Sequence, residues 1–341
     1  MDPGKVDRAF FEQHIGDRLG ADRADVRLEP AHGADFGAID VGDRVVALAT
    51  DPLFVLRDLG LERAAWFAFH IVVSDVALSG IPPTHLTVDF NLPPETDAAT
   101  FETIWSVFDR EARDLGIGVV TGHTGAYAGT AFPTIGGATG IAVGDPADLV
   151  LPTGAQPGDV LVATKGPAVE TTAVLATVFG DRIEDLPTAA IDAARDRFRE
   201  MAPVYDALTA AAAAPVTAMH DATEGGVDTA LLELARASEV GLAVERDRFP
   251  IGDGVRAVCE HFDIDPWVAS SEGTVLMTVG ADGVGALLEA LAAEGIRAAR
   301  VGEVTGESDV VVDGESIVAP ERDPFWPAYE RAREEYGTPQ R

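Results

Sequence analysis

The stretch from Ala64 to Ser79 constrains the fold more than any other part of the sequence. Its residues are apolar on nearly every side of a helical projection, which predicts a helix buried on all faces. His70, Ser74 and Asp75 interrupt the stretch, so it is too short and too polar to span a membrane. A buried, ionised Asp75 is costly unless a partner or a metal offsets its charge. Asp75 is therefore a candidate ligand, and the alternative is a partly exposed aspartate near the helix end.

The length and composition predict two globular domains. The chain has 341 residues, of which 47% are hydrophobic, and this is room for about two domains with sizeable cores. The polar, turn-rich segment 145–157 marks the expected boundary, giving domains 1–150 and 151–341. Residues 1–8 are polar and no apolar segment follows them, so no secretory signal peptide is expected. The protein is expected to be soluble and cytoplasmic.

The charge is strongly acidic, with 57 acidic against 25 basic residues and a formal net charge of −32. Such a balance argues against a broad electrostatic surface for nucleic acid. It adds self-repulsion that concentrated salt screens, which indicates a halophilic source. The single cysteine, Cys259, excludes an internal disulfide and disfavours a cysteine-ligated zinc site.

Periodicity predicts an alternation of strands and helices. The strands expected on the N-terminal side of the boundary cover residues 45–49, 84–91 and 132–143, with an amphipathic helix over 101–115. On the C-terminal side, strands are expected over 159–164, 215–219, 275–279 and 298–304. Helices are expected there over 169–179, 188–212, 228–238, 254–261, 286–293 and 327–336.

Acidic residues follow several of these elements. Asp35 lies in the glycine-containing turn 31–38, and Asp51 is expected where Pro52 ends a strand. Residues 121–125, Thr-Gly-His-Thr-Gly, are expected to form a strand-end turn, and Glu272 lies in the turn 270–274. Carboxylate oxygens of this kind suit Mg²⁺, which shares its coordination shell with nucleotide phosphates. Turn chemistry explains Asp51 equally well.

The segment from His220 to Val227 predicts a strand, a polar glycine-containing turn and a helix. Free backbone N–H groups at a helix start favour a bound anion, and two carboxylates beside an anion imply a cation between them. The competing interpretation is a capped helix start with Asp221 or Thr223 as the N-cap residue. Capping also explains Glu224. No P-loop, nucleophile elbow or zinc-binding helix motif occurs in the sequence.

Taken in order, seven segments resemble the aminoimidazole-ribonucleotide (AIR) synthase-related superfamily, and the C-terminal half resembles its hydrogenase-maturation branch. The ordered set over residues 33–304 is far more specific than any one segment. The matching segments are Gly33-Ala34-Asp35, Thr50-Asp51, Ser74 to Gly80, Thr121 to Thr124, Asp221 to Gly226, Ser271 to Thr274 and Val301 to Val304.

The resemblance implies a mixed α/β fold of two domains. The N-terminal domain would form a β-barrel across a homodimer, and the C-terminal α/β domain would cover a nucleotide cleft. It also implies ATP and Mg²⁺ as cofactors and a small-molecule substrate. Carried over by position, the metal-region residues are Asp35, Asp51, Asp75 and Asp221, and the nucleotide-region residues are Thr50, Gly122, His123, Thr124, Gly225 and Gly226.

Three departures from the family pattern bear on function. His123 stands where the phosphate turn usually has aspartate, and Ser74 where asparagine is usual. The hydrogenase-maturation branch ends in a cysteine-bearing tail that accepts a carbamoyl group, whereas this sequence ends Gly337 to Arg341. With Cys259 in an expected helix, a carbamoyl-to-nitrile reaction on a terminal cysteine is not expected.

Three functions follow, in decreasing order of support. The first is an ATP- and Mg²⁺-dependent enzyme that phosphorylates or phospho-activates a small molecule. The second is a nucleotide-binding or assembly protein in which His123 has abolished turnover. The third is a metal-dependent hydrolase built on the histidines and aspartates, with neither nucleic acid nor membrane as a partner in any of the three.

Two further residue sets have open roles. If His32, His123 and His220 converge with the acids, a softer metal such as Mn²⁺ or Zn²⁺ is favoured; otherwise they are ordinary polar turn residues. Lys165 either reaches a phosphate from its turn or is a solvated residue at a strand end.

Overall fold

A computed structural model describes residues 5–337. The first of its two sheets contains six strands. The strands of the first sheet are β1 (Val26–Leu28), β2 (Gly37–Val41), β3 (Arg44–Phe54), β4 (Pro83–Leu92), β5 (Gly118–Ala126) and β6 (Thr134–Gly144). Their order is β1-β2-β3-β6-β4-β5, and all neighbours are antiparallel except β4 and β5. β5 is thus an edge strand, and its residues are exposed except for partly buried Gly125.

The second sheet contains seven strands in the order β13-β12-β9-β11-β7-β10-β8. Their pairings are antiparallel except for β12 with β9. These strands are β7 (Val160–Thr164), β8 (Val216–Asp221), β9 (Gly241–Val244), β10 (Val275–Val279), β11 (Ala298–Thr305), β12 (Val310–Val312) and β13 (Glu315–Ser316).

Ten α-helices accompany the two sheets within residues 5–337, and together they confirm the mixed α/β fold class. The helices are α1 (Arg8–Phe11), α2 (Leu61–Ala77), α3 (Ala98–Asp114), α4 (Val169–Phe179), α5 (Thr188–Asp196), α6 (Val204–Ala213), α7 (Gly226–Ala237), α8 (Val255–Phe262), α9 (Val284–Ala293) and α10 (Phe325–Tyr336). In this part of the chain no helix combines the length and apolar character that crossing a bilayer requires.

The helix α2 is buried as expected. Its residues from Ala64 to His70 are all buried, and so are Val72, Val73 and Ser74. It packs against β3, α3 and β6, and His70 Nε2 lies 3.1 Å from Glu111 Oε2 on α3. Burial of so many side chains supplies the largest share of stabilisation around this helix, at about 25 cal/mol per Å² of apolar surface.

One hydrophobic core extends through both halves of the chain. The last helix, α10, contributes directly to it: the rings of Trp326 and Phe54 meet edge-on with centroids 5.6 Å apart, and Tyr329 Oη donates to Asp58 Oδ2 at 2.6 Å. The sheets lie on either side of segment 145–157, and the domain boundary in that segment stays a prediction.

Two strands continue beyond the expected bounds. Asp51 and Pro52 lie inside β3, where they pair with Ala138 and Gly137 of β6. Pairing with β2 ends at Leu48, so the N–H group that Pro52 lacks is not required on that side. Residues 121–125 form part of β5 rather than a turn.

The expected helix over 188–212 is interrupted, because α5 ends at Asp196 and α6 begins at Val204 after Pro203. The prediction of a solvated Lys165 is wrong: its side chain is buried, and Nζ donates to Asp206 Oδ2 at 2.8 Å and to the carbonyl of Glu200 at 2.9 Å. With its donors directed at these groups, Lys165 has a structural role.

Candidate metal and phosphate site

The turn between β8 and α7 departs from the expected helix cap. His220 and Asp221 are the last two residues of β8, and α7 starts after Gly225, which has φ +79°. Among residues 5–337 no side chain caps this helix by the N-cap hydrogen bond, so the capping role of Asp221 or Thr223 is wrong. Gly226, at φ +63°, is required because a Cβ there would lie 2.6 Å from the carbonyl oxygen of Ala269.

The amides of this turn are already hydrogen-bonded. The backbone N–H of Gly225 donates to Asp323 Oδ2 at 2.8 Å, and that of Gly226 donates to the carbonyl of Thr223 at 3.0 Å. Asp323 therefore provides the anion that the turn binds in this structure. The assignment of Gly225 and Gly226 to phosphate binding stays a prediction.

His220 connects two carboxylates from different parts of the chain. It is 3% exposed; its Nδ1 lies 2.8 Å from Asp35 Oδ2, and its Nε2 lies 3.1 Å from Glu233 Oε2 on α7. Burial alone lowers the pKa of His220, but Asp35 and Glu233 raise it well above its ordinary value. An imidazolium that donates from both nitrogens matches this geometry, which leaves neither nitrogen for a metal.

Asp221 lies next to this pair and is 2% exposed. Ligand atoms of Asp35, His220 and Asp221 lie within 4.8 Å of one another. Burial, and then the negative charge of Asp35, raises the pKa of Asp221 to about 7. In the part of the chain that the structure describes, Asp221 Oδ2 is buried without a hydrogen-bond partner, so this oxygen is available to a cation or a proton.

Asp51 and Asp75 complete the group of four. Burial raises the pKa of both carboxyls, and for Asp75 the negative charges of Asp51, Asp221 and Asp35 raise it further. Asp51 Oδ2, too, is buried without a hydrogen-bond partner within residues 5–337. Asp35, Asp51, Asp75 and Asp221 are called the acid cluster below. A hydrogen bond with Asp75 lowers the pKa of Asp51 in part. A cation bound among these carboxylates would offset both their burial and their mutual repulsion.

A cavity of about 240 Å³ opens onto two members of the acid cluster, Asp35 and Asp75. Its lining includes Asp35, Asp75 and His220, together with Lys5 and Thr223. Lys5 Nζ donates to Thr223 Oγ1 at 3.1 Å, and the Lys5 backbone N–H donates to Glu224 Oε2 at 2.9 Å. Glu224 is therefore explained by this contact rather than by helix capping.

The histidines divide between two places. His32 lines the same cavity as His220, and its Nδ1 lies 3.6 Å from Glu233 Oε1. His123 is on the exposed strand β5, where its Nε2 and Tyr127 Oη share a hydrogen bond of 2.6 Å. Of the three histidines only His220 contacts one of the four acids, and it belongs to β8 rather than to a turn. His32 lies in a turn, as one of the two interpretations expects.

The nucleotide-region residues of β5 lie apart from this cavity. Gly122, His123 and Thr124 occupy the edge strand, and β6 and β4 separate it from β3. Three strand spacings amount to roughly 14 Å. Thr50 is adjacent to Asp51 on β3 and shares a 2.9 Å hydrogen bond with Thr139 Oγ1. Within one chain, Thr50 therefore lies beside a member of the acid cluster, whereas Gly122, His123 and Thr124 of β5 lie away from it.

A second set of carboxyls lies behind the cluster. Burial, then the charges of Asp221 and Glu170, raises the pKa of Glu272 well above its usual range. Burial, then Asp323, raises the pKa of Glu170 to about 7. The sequence signalled Glu272 through its glycine-containing turn, but Glu170, Glu233 and Lys5 were missed. Lys5 had one available signal, since it and Lys165 are the only lysines of the chain.

Cys259 does not have the properties of a reactive thiol. It lies on α8, as expected, and is buried. Burial, and then the charge of Asp265, raises the pKa of its thiol to about 12. A nucleophilic or carbamoyl-accepting thiol requires easier ionisation and access.

Two sheets joined by a common core, with carboxylates gathered from both halves of the chain, define an α/β protein with an acidic cleft. Models of the AIR synthase related protein N-terminal and C-terminal domains match residues 33–142 and 156–315. The chain belongs to the AIR synthase-related family.

Named relatives fall into two groups. The carbamoyl dehydratase HypE of Rhodobacter capsulatus is 30% identical over 242 residues, 69% of this chain and 68% of that protein. The thiamine-monophosphate kinase of Pyrococcus horikoshii is 25% identical over 259 residues, 76% of each chain. The solved structure of the hydrogenase maturation protein HypE in complex with ATP aligns with a TM-score of 0.63 at 21% identity, covering 91% of each chain. That likeness shows the fold.

Proposed function

We propose that the protein is an ATP- and Mg²⁺-dependent enzyme that phosphorylates or phospho-activates a small-molecule substrate. The observation that carries this proposal is the approach of Asp35 and Asp221, whose ligand atoms lie within 4.8 Å, in the electrostatic field of Asp51 and Asp75. The relatives include a kinase and a HypE protein crystallised with ATP, and both support a nucleotide as the source of the phosphoryl group.

The donor set fits Mg²⁺ better than a softer metal. The acid cluster offers hard carboxylate oxygens, two of which are buried without hydrogen-bond partners among the described residues. His220 supplies no ligand, because both of its nitrogens face carboxylates. When bound, Mg²⁺ would neutralise charge on phosphate oxygens. The four carboxylates would hold it, and His220 would fix the orientation of Asp35 through their hydrogen bond.

The exposed edge strand supports a homodimer as part of this proposal. β5 presents an unpaired edge, in the described chain, together with apolar side chains: Val119 is 40% exposed, Val120 56% and Tyr127 43%. Exposed edges with apolar residues favour pairing with another strand. A second copy of the chain that covers β5 would also carry Gly122, His123 and Thr124 to the interface. Because these residues lie apart from the acid cluster of their own chain, the partner's cluster is the one they would serve.

The proposal is tested by nucleotide binding and turnover. ATP should bind the protein by titration calorimetry with Mg²⁺ and weakly in EDTA, and ADP should form with one member of a panel of small phosphate acceptors. Asp221→Asn should weaken binding of Mg²⁺-ATP by about 10- to 100-fold or more. The exposed Asp282→Asn is the matched control and should behave like the wild type. Equal ATP binding in EDTA and in the Asp221 variant would overturn the proposal.

A nucleotide-binding protein without turnover is the second candidate, and His123 is the observation that favours it. His123 replaces the aspartate usual in this family and is engaged with Tyr127. ATP binding without ADP formation across the panel, restored by His123→Asp, would support this function. The metal-dependent hydrolase has less support, because His220 lacks a free nitrogen for a metal.

A further inference from the structure

Glu233 lies on α7, behind the contact between His220 and Asp35. Its side chain is 15% exposed, and each of its oxygens faces a different histidine. Oε2 lies 3.1 Å from His220 Nε2, and Oε1 lies 3.6 Å from His32 Nδ1. Through its other nitrogen, His220 Nδ1 reaches Asp35 Oδ2 at 2.8 Å. Three side chains in a row, Glu233, His220 and Asp35, thus lead from α7 to the acid cluster.

The close approach of Gly33 restricts where the Glu233 side chain can lie. A Cβ atom on Gly33 would be 2.9 Å from both Cγ and Cδ of Glu233, which is closer than Cβ atoms approach other atoms in proteins. Gly33 also has φ +81°, in the left-handed region that favours glycine. The turn that carries Asp35 therefore lies directly on the Glu233 side chain, and a larger residue at position 33 would displace the carboxylate from His220.

Glu233 itself is not placed to bind the cation. The ligand atoms that lie within 4.8 Å of one another belong to Asp35, His220 and Asp221, and His220 stands between Glu233 and Asp35. Any effect of Glu233 on a metal held by the acid cluster must therefore pass through a neighbouring side chain.

We propose that Glu233 is a positioning residue of the metal site, which acts through His220 to hold the Asp35 carboxylate in the orientation that a divalent cation requires. This inference rests on the proposed function in one respect, namely that the acid cluster binds Mg²⁺. An imidazole with an acceptor at one nitrogen can turn about its Cβ–Cγ bond, whereas acceptors at both nitrogens hold the ring. Because a carboxylate is planar and rigid, holding Oδ2 of Asp35 also restricts the direction of its other oxygen.

The first experiment titrates Mg²⁺ or Mn²⁺ alone, without nucleotide, into the full-length protein by calorimetry. Glu233→Met keeps the length of the side chain beside Gly33 but removes the acceptor, so it should bind the metal about 10- to 100-fold more weakly, as is typical when a partner behind a metal ligand is lost. Glu233→Gln keeps an acceptor oxygen for His220 and should bind nearly like the wild type. The exposed Glu289→Met removes the same charge from α9 and should have no effect.

The second experiment is a double-mutant cycle that asks whether Glu233 acts through His220. His220→Gln should weaken metal binding by itself, and adding Glu233→Met should weaken it no further, because the row of side chains is already broken. Independent effects would instead multiply, to about 100-fold or more. The double variant removes both members of the buried pair, so it leaves no lone charge from Glu233. Circular dichroism in EDTA verifies that each variant is folded at the titration temperature, which separates metal affinity from stability.

The outcomes separate this inference from the function on which it rests. Wild-type metal affinity in Glu233→Met overturns the positioning role alone. Equal losses in Glu233→Gln and Glu233→Met assign the effect to the charge of Glu233, and multiplying effects in the cycle assign it to a route other than His220; each of these results also overturns the inference. If the wild-type protein binds neither Mg²⁺ nor Mn²⁺, the metal part of the proposed function fails together with it.

Discussion

His220 Nδ1 and Asp35 Oδ2 lie 2.8 Å apart, and this contact joins the last residues of β8 to the segment that precedes β2. The two residues are 185 positions apart in sequence. Both side chains are nearly inaccessible, and Glu233 approaches His220 from the other side. The first and second halves of the chain are thus connected at the acid cluster through one charged imidazole.

Removing that imidazole should destabilise the protein. His220→Gln leaves Asp35 and Glu233 buried without their cation, so the free energy of unfolding should fall by about 3 kcal/mol. Urea unfolding in EDTA measures the change. His14→Gln, at an exposed position, is the control and should cost little. A loss no greater than that of the control would show that the pair contributes nothing to stability.

Asp75→Asn should stabilise the metal-free protein while abolishing its response to Mg²⁺. Burial and the neighbouring acids disfavour the ionised form of Asp75 in the folded state. A neutral amide removes that penalty, so the unfolding free energy in EDTA at pH 8 should rise by about 1–2 kcal/mol. Thermal unfolding with and without Mg²⁺ provides the measurement, with Asp282→Asn for comparison. A wild-type Mg²⁺ response would remove Asp75 from the metal site.

Glu170 should make stability fall as the pH rises. Its pKa of about 7 in the folded protein exceeds the value of 4.5 for an isolated glutamate, so between those values the folded state holds a proton that the unfolded state has lost. Stability therefore decreases across this interval. Glu170→Gln should raise the unfolding free energy by on the order of 2 kcal/mol at pH 8 and hardly at pH 4.5.

The exposed Glu289→Gln, on α9, is the matched control for Glu170 and should leave the pH profile unchanged. Urea unfolding at several pH values compares the three proteins. If Glu170→Gln raised the free energy of unfolding equally at all pH values, the effect could not be assigned to ionisation of this carboxyl.

Val120→Asp should break the proposed dimer. It places a charge on the unpaired edge strand β5, where two strands would meet across the interface. Light scattering coupled to size-exclusion chromatography should show the mass fall from two chains to one. Val318→Asp introduces the same charge at a position that is 83% exposed and outside β5, and it should leave the mass unchanged. A wild-type mass for the Val120 variant would exclude β5 as the interface.

Concentrated salt should stabilise the protein. With a net charge of −32, self-repulsion opposes the compact state, and raising ionic strength from 0.1 M to 1 M shortens the screening length from about 10 Å to about 3 Å. The unfolding temperature in KCl should rise by several degrees over this range. A flat or falling profile in differential scanning calorimetry would argue against the halophilic interpretation.

The local sequence pattern is sufficient to predict helices and strands whose buried residues recur regularly along the chain. The strand Val275–Val279 was predicted to the residue, and α2 was expected from its uniform apolar character. Pro52 was read as a strand end because a proline usually disrupts pairing, but β3 pairs on one side only at that point. Whether a backbone N–H is needed depends on a neighbouring strand, which the local sequence does not contain.

The acid cluster could be named from the sequence only through resemblance, since its members come from four separate segments. Their convergence depends on the packing of both sheets. Lys5 was missed because its contact with Thr223 spans 218 positions and no periodicity encodes it. His220 was noticed in its turn, but the pairing that occupies both of its nitrogens required the positions of Asp35 and Glu233.

The placement of α10 has a consequence for biosynthesis. Trp326 and Tyr329 cover Phe54 and Asp58, yet the ribosome makes them some 270 residues later. The N-terminal half therefore emerges and forms its sheet with this aromatic surface still open to water. Its core is complete only after translation has passed Tyr329. A nascent chain stalled before α10 would therefore expose the apolar surface around Phe54, which the finished protein buries under Trp326.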